Sequence, residues 1–277
     1  MQMTEAEIRA QLAAMGERGG DQLDIGEAAL LLANLDLPDR DLAEYREELG
    51  VIAADLRTAA HGAEGLVEQS AALSQTLYER HQFQGDTETY DDPQNANLMR
   101  VMDRRKGLPV ALGILAIHAG RAIDWEIAGL NFPGHFLLRL GPAGAHVLID
   151  PFDQGGLVGG DDLERIFRRV HNQPLPPGTD FIQTVSDRNI LVRLQNNIKI
   201  RALGEGSRDR AIEILRSIML ITPAQLEILT ELILMEASCG HFMSALGRLD
   251  AFMARYPEAA HAAQLSALKE KLNRNLN

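Results

Sequence analysis

A histidine and an aspartate, His135 and Asp150, close the two ends of the segment HFLLRLGPAGAHVLID. A carboxylate within reach of one ring nitrogen fixes the imidazole tautomer and supports its cationic form, which is the orienting half of a nucleophilic triad. The residue alternation predicts how the two meet. If HFLLRL and AHVLID are strands joined across GPAG, His135 falls opposite Asp150, Leu137 opposite Leu148, and Arg139 opposite His146. Phe136, Leu138, Leu140, Ala145, Val147 and Ile149 then share the other face. A one-residue slip would mix polar with apolar side chains, so the pattern itself selects the pairing. The same geometry would also serve as a plain structural hydrogen bond at the edge of a small sheet.

Other chemistry-bearing residues are weaker candidates. A metal set drawn from His135, His146, Asp150 and Asp153 is disfavoured, because His146 and Asp150 are four strand positions apart at about 3.3 Å each. His118, inside the apolar LGILAIHAG, reads as a half-buried core histidine bonded to backbone. The glycine-rich GGLVGG has neither the lysine nor the spacing of a phosphate loop and reads as a turn. The single cysteine, Cys239, reads as a small filler between helices. Arg104, Arg105 and Lys106 precede the apolar helix LPVALGILAIHAG. They could form an anion-binding mouth at its N-terminus, or offset the dipole of the helix before them.

The elements that must hold these residues are mostly helical. Polar breaks at GERGGDQ, LPDRD and HGAEG separate amphipathic stretches as far as Gly85, and a polar loop, GDTETYDDPQNAN, leads into ANLMRVMDRRKG. Pro109 suits the first turn of the next helix, where a missing N–H costs nothing. That helix is apolar nearly all round and is expected to be central. WEIAGLNF, HFLLRL and AHVLID form the one β region, a small antiparallel sheet packed on helices. Beyond the Pro/Gly-rich break from Asn172 to Asp180 the chain is helical again. There Gly206, Ala211, Leu215 and Pro223 recur at a fixed offset of 34 residues as Gly240, Ala245, Leu249 and Pro257. This is a tetratricopeptide-like pattern, with glycine at the turn, alanine at the close helix approach and proline at the end.

A formal net charge of -12 argues against a nucleic-acid or anionic-membrane surface, which needs clustered Lys and Arg. One cysteine excludes an internal disulfide framework and suits a reducing compartment. The acidic N-terminus lacks an apolar stretch of signal-peptide length, and the longest apolar run falls short of the roughly 18 residues that span a bilayer.

NANLMRVMDRRKGLPVALGILAIHAGRA, GLNFPGHFLLRL, LIDPFDQGG and AIEILRSIMLITP together resemble the bacterial SirB-type proteins, in which a transglutaminase-like region is followed by tetratricopeptide-like repeats. The resemblance covers Ala28 to the C-terminus. It implies that His135 and Asp150 occupy the second and third positions of a Cys-His-Asp triad, the cysteine belonging at the N-terminus of the helix that begins RKGLPVALGIL. Pro109, Val110 and Ala111 stand there instead, and neither serine nor threonine occurs from Arg100 to Arg121.

The expected fold is therefore α+β, mostly helical, with a transglutaminase-like core over residues 1–175 and helical repeats over 180–277. The expected function is that of a cytoplasmic, non-catalytic interaction or regulatory protein, a pseudoenzyme with a degenerate cleft. The alternative is a hydrolase in which the His135/Asp150 dyad activates water. Arg104, Arg105, Asn131, Gly134 and Asp153 are expected to line the cleft. No cofactor or metal is expected, and the expected partner is another protein, bound through the cleft or the repeats.

Overall fold

Side-chain oxygens of Asp24, Asp41 and Asn97 accept hydrogen bonds from the Glu27, Ala43 and Arg100 amides, and helices start at each of these points. The computed structural model describes residues 3–18, 20, 23–176, 183–260 and 263–274. The chain opens with α1 (Glu5–Glu17), α2 (Ile25–Asn34), α3 (Leu42–Ala59) and α4 (Leu66–Ser74), the last continuing into a π-helical turn at Gln75–Arg80. A two-residue strand β1 (Gln84–Gly85), a 3₁₀ turn (Pro93–Ala96), α5 (Leu98–Arg104) and β2 (Lys106–Gly107) lead to α6 (Pro109–Arg121). Strands β3 (Ile127–Leu130), β4 (Leu137–Leu140), β5 (Val147–Asp150) and β6 (Gly156–Leu157) follow. The rest is helical: α7 (Gly160–His171), α8 (Asp187–Gly204), α9 (Arg208–Ile221), α10 (Leu226–Ser238), α11 (Phe242–Arg255), α12 (Pro257–Ala260) and α13 (Ala263–Arg274). The class is α+β and mostly helical, as the sequence predicts. Among the described residues no helix is long and apolar enough to cross a membrane.

The chain divides into two units, one of residues 1–8 and 20–197, the other of residues 9–19 and 198–277. The division falls within α8, whereas the Pro-rich break was the expected boundary; residues 177–180 of that break lie outside the described ones.

In the first unit α6 is the centre. Its residues from Pro109 to Ile117 are all buried, with α2 and α3 on one side and β3 and β4 on the other. Each fully buried Leu or Ile there contributes about 1.5–3 kcal/mol. Two glycines set the helix-to-sheet distance. A Cβ on Gly113 would lie 2.4 Å from the Phe136 ring, and one on Gly120 would lie 2.9 Å from Ile127. His118 is half-buried, as expected, but its Nδ1 faces the Asp24 carboxylate at 3.7 Å rather than a backbone group. The sheet runs β3-β4-β5-β6 and is antiparallel throughout. Its second face is covered by Ile166 and Phe167 of α7, which pack on Leu130, Phe132, Leu137 and Leu148. Burial on both sides explains why Leu137 and Leu148 occupy what the alternation marks as the polar face.

The register differs from the symmetric one by two residues. Leu138 pairs with Ile149, Arg139 with Leu148 and Leu140 with Val147, so Asp150 falls across from Leu137 instead of His135. The turn is wider than GPAG: Gly141 adopts φ +97 and gives its N–H to the carbonyl of Glu126, the residue just before β3, and Ala145 closes a turn on Pro142. A shift of two preserves the faces. GGLVGG is likewise more than a turn, because Gly156 and Leu157 pair with Asp150 and Ile149.

In the second unit, α9 and α11 have bounds that match at the 34-residue offset. Gly206 and Gly240 both have positive φ, at +77 and +81. Ala211, Leu215, Ala245 and Leu249 are fully buried. Glu236 is also fully buried, held by Arg216 and Arg248 at 2.7 and 3.1 Å. Burial alone would raise its pKa, but the hydrogen bonds from the two arginines prevail and lower it.

Candidate functional site

Asp150 ends β5 and begins a tight turn. Its Oδ1 accepts from the Phe152 amide at 2.8 Å and more weakly from the Asp153 amide at 3.4 Å, while its carbonyl accepts from Gly155. Gln154 and Gly155 take positive φ, at 49 and 74, and reverse the chain into β6. The π-helical extension of α4 clamps this turn from outside. Ser74 donates to the Gln154 carbonyl at 2.7 Å and Tyr78 to the Pro151 carbonyl at 2.9 Å. Burial, and then the nearby Asp150 charge, push the Tyr78 phenol pKa upward, so it remains a neutral donor.

With Oδ1 fixed by backbone, Oδ2 is free for the histidine. His135 Nε2 donates to it at 2.8 Å, and both residues are 8% exposed. His135 lies before β4 in a turn whose N–H is given to Phe132. Because of the two-residue register shift, its ring reaches Asp150 diagonally. Gly134 allows this turn with φ +71, and a Cβ there would fall 2.4 Å from Val170.

Arg193, on α8, was not among the sequence candidates. It donates to the His135 carbonyl at 3.0 Å and to Asn131 Oδ1, and its guanidinium sits 5.6 Å from the Phe136 ring centre. Burial lowers its pKa, though an arginine remains charged. The only sequence signal was one arginine inside the apolar run from Ile190 to Leu194.

The loop from Gln84 to Asp92 packs on Phe152, two residues beyond Asp150. Its hub is Asp86, 1% exposed, which accepts from the Glu88 and Thr89 amides, the Thr89 hydroxyl and Arg104. Burial opposes ionisation there, but the hydrogen bonds from Thr89, Asn95 and the Glu88 amide win and hold the Asp86 carboxyl down to about 2. Phe152 seats the loop: a Cβ on Gly85 would lie 2.5 Å from its ring, and Tyr90 meets it edge-on at 5.8 Å.

Of the expected lining residues, Arg104 and Arg105 are committed to structure. Arg104 binds Asn95 and Asp86 at 2.9 and 3.1 Å, and Arg105 pairs with Glu48 while its guanidinium lies 4.9 Å from the Phe83 ring centre. Both guanidinium groups are engaged by side chains of the protein. Asn131 accepts from Arg193, Gly134 immediately precedes His135, and Asp153 is exposed on the turn after β5. At the start of α6, Leu108 is the N-cap and Pro109 the first helical residue. Pro109, Val110 and Ala111, in its first turn, carry neither hydroxyl nor thiol. Cys239 ends α10 in the other unit, half-buried. Among the described residues no three His, Cys, Asp or Glu side chains gather into a metal-binding group.

The transglutaminase-like superfamily matches residues 43–196, a span that contains α6, the sheet, His135, Asp150 and Arg193. A UPF0162 protein of Xylella fastidiosa is 28% identical over 240 residues, covering 86% of this chain and 85% of that one. A UPF0162 protein of Vibrio cholerae is 31% identical over 187 residues, 67% of this chain and 68% of its own. The human F-box only protein 21 is 25% identical over 174 residues, 60% of this chain but 27% of its own length. The chain thus belongs to the transglutaminase-like superfamily and, with these bacterial relatives, to the UPF0162 proteins.

Proposed function

We propose that this protein is a non-catalytic interaction module built on a transglutaminase-like fold, its dyad retained to hold a loop cluster and its partner another protein. The observation that carries this reading is the start of α6, where Leu108, Pro109, Val110 and Ala111 offer no nucleophile to an otherwise assembled His135/Asp150 pair. Covalent catalysis needs a thiol or hydroxyl next to the base. The near-complete burial of both residues fits a structural duty. The tetratricopeptide-like hairpins supply a surface: Ile200 and Leu234 are 63% and 44% exposed and stand at equivalent positions of the 34-residue repeat. Repeated exposed apolar side chains are a feature of partner-binding faces.

A hydrolase is kept as a second reading by one detail. Nε2 of His135 is engaged by Asp150, which leaves Nδ1 as the nitrogen that could take a proton from water. Capture of binding proteins by wild type, His135→Ala and Ile200→Glu/Leu234→Glu, each verified as folded, separates the readings. A partner lost with the double variant is the expected result. Turnover of an amide or ester that vanishes in His135→Ala would favour the hydrolase.

A further inference from the structure

A cavity away from the dyad opens at the N-terminal end of β3. Its volume is about 760 Å³, within the range of small-molecule sites, and Trp125, Arg121, Asp124, Arg139 and Asp187 are among its lining residues. Two of these charges cancel each other. Arg121 donates to both oxygens of the buried Asp187, at 2.6 and 3.1 Å, and Asp187 also accepts from the Leu23 amide.

Two others are less fully committed. Arg139 extends from β4 across the small Ala128 of β3, with which it is paired. Its guanidinium makes a single side-chain bond, 3.2 Å to Glu126, a residue whose own side chain is 59% exposed. The Arg139 Nε has no acceptor among the described residues although it is closed off from solvent. Asp124 is exposed in a left-handed turn, φ 64, and no cation pairs with its carboxylate among the described residues.

The strand edge adds a third feature. Ile127 accepts from Arg121 and Gly129 from Val185, so the odd residues of β3 turn their backbone groups away from β4. The Ile127 N–H therefore faces outward beside the cavity, where an extended chain could supply its acceptor.

We propose that this cavity binds a short peptide by its charged termini, the carboxylate on Arg139, the ammonium on Asp124 and one backbone carbonyl on the Ile127 N–H, with Trp125 as wall. The mixed charge of the lining selects a zwitterion over a simple anion or cation, because each isolated charge would meet a like charge within the same cavity.

Trp125 is the single tryptophan of the chain, so its emission reports the cavity directly. The full chain is titrated with tri-alanine, with tri-alanine amide and with N-acetyl-tri-alanine, with calorimetry run alongside to catch binding that leaves emission unchanged. The expected result is saturable binding of tri-alanine, weakened at least about tenfold by blocking either terminus. Arg139→Gln should erase the preference for the free carboxylate, and Asp124→Asn the preference for the free ammonium. Asp124 is exposed, so its variant keeps the test valid if Arg139→Gln does not fold. No saturable binding by wild type, equal binding of free and blocked peptides, or termini preferences unchanged in the folded variants would each overturn the proposal.

Discussion

The Asp150 carboxylate does two jobs with two oxygens, ordering its own turn with Oδ1 and His135 with Oδ2. Asp150→Ala is expected to leave a buried imidazole without its partner and release the turn, lowering stability by about 3 kcal/mol in urea unfolding. Asp86 makes a pH prediction. Its folded pKa, about 2, lies below the ordinary 3.8, so the stability it contributes is complete above pH 3.8 and is lost as pH falls through about 2. The gap corresponds to about 2 kcal/mol. The unfolding free energy from urea titrations between pH 5 and about 2 should fall by that amount in wild type beyond the fall seen in Asp86→Asn. The pairing of His135 with Asp150 was legible in the sequence because alternation fixes which face each side chain takes. Arg193 was not, since nothing local tells which carbonyl a helix arginine will meet.

At the level of elements, α6 and β4 touch through Gly113, with Phe136 filling the space its missing side chain leaves. Gly113→Ala would gain about 1 kcal/mol of helix propensity, but would drive a methyl into that ring. Overpacking of this kind costs about 1–3 kcal/mol, so the variant should be net destabilised in thermal unfolding, and a rise in Tm would contradict the close approach. The apolar run of α6 announced a central helix, and Pro109 its first turn. The hairpin register was harder to read. It depends on Gly141 giving its N–H to the carbonyl of Glu126, the residue just before β3, a long-range bond that widens the turn beyond what GPAG suggests. Strand β6 was hidden because two residues are too short to show alternation, and Gly156 pairs through its backbone. The 34-residue spacing, by contrast, is a pattern over many residues and reappears in the bounds of α9 and α11.

The two units each have a core, and a buried charge cluster anchors the second. Glu236→Ala would leave Arg216 and Arg248 without their shared partner, though Arg216 keeps Glu213, and should cost about 1–3 kcal/mol. Circular dichroism should then show an early transition, while Trp125 emission, which reports the first unit, keeps its wild-type midpoint. A parallel shift of both signals would mean that the units unfold as one. For the molecule as a whole, the proposed reading is a transglutaminase-like frame that works without a covalent nucleophile. The most direct test is to incubate wild type and His135→Ala with a panel of activated amides and esters, following product release and any acyl-protein adduct by mass spectrometry. Equal product release at the buffer rate, with no adduct on either protein, is the predicted result. Turnover or an adduct that requires His135 would contradict it.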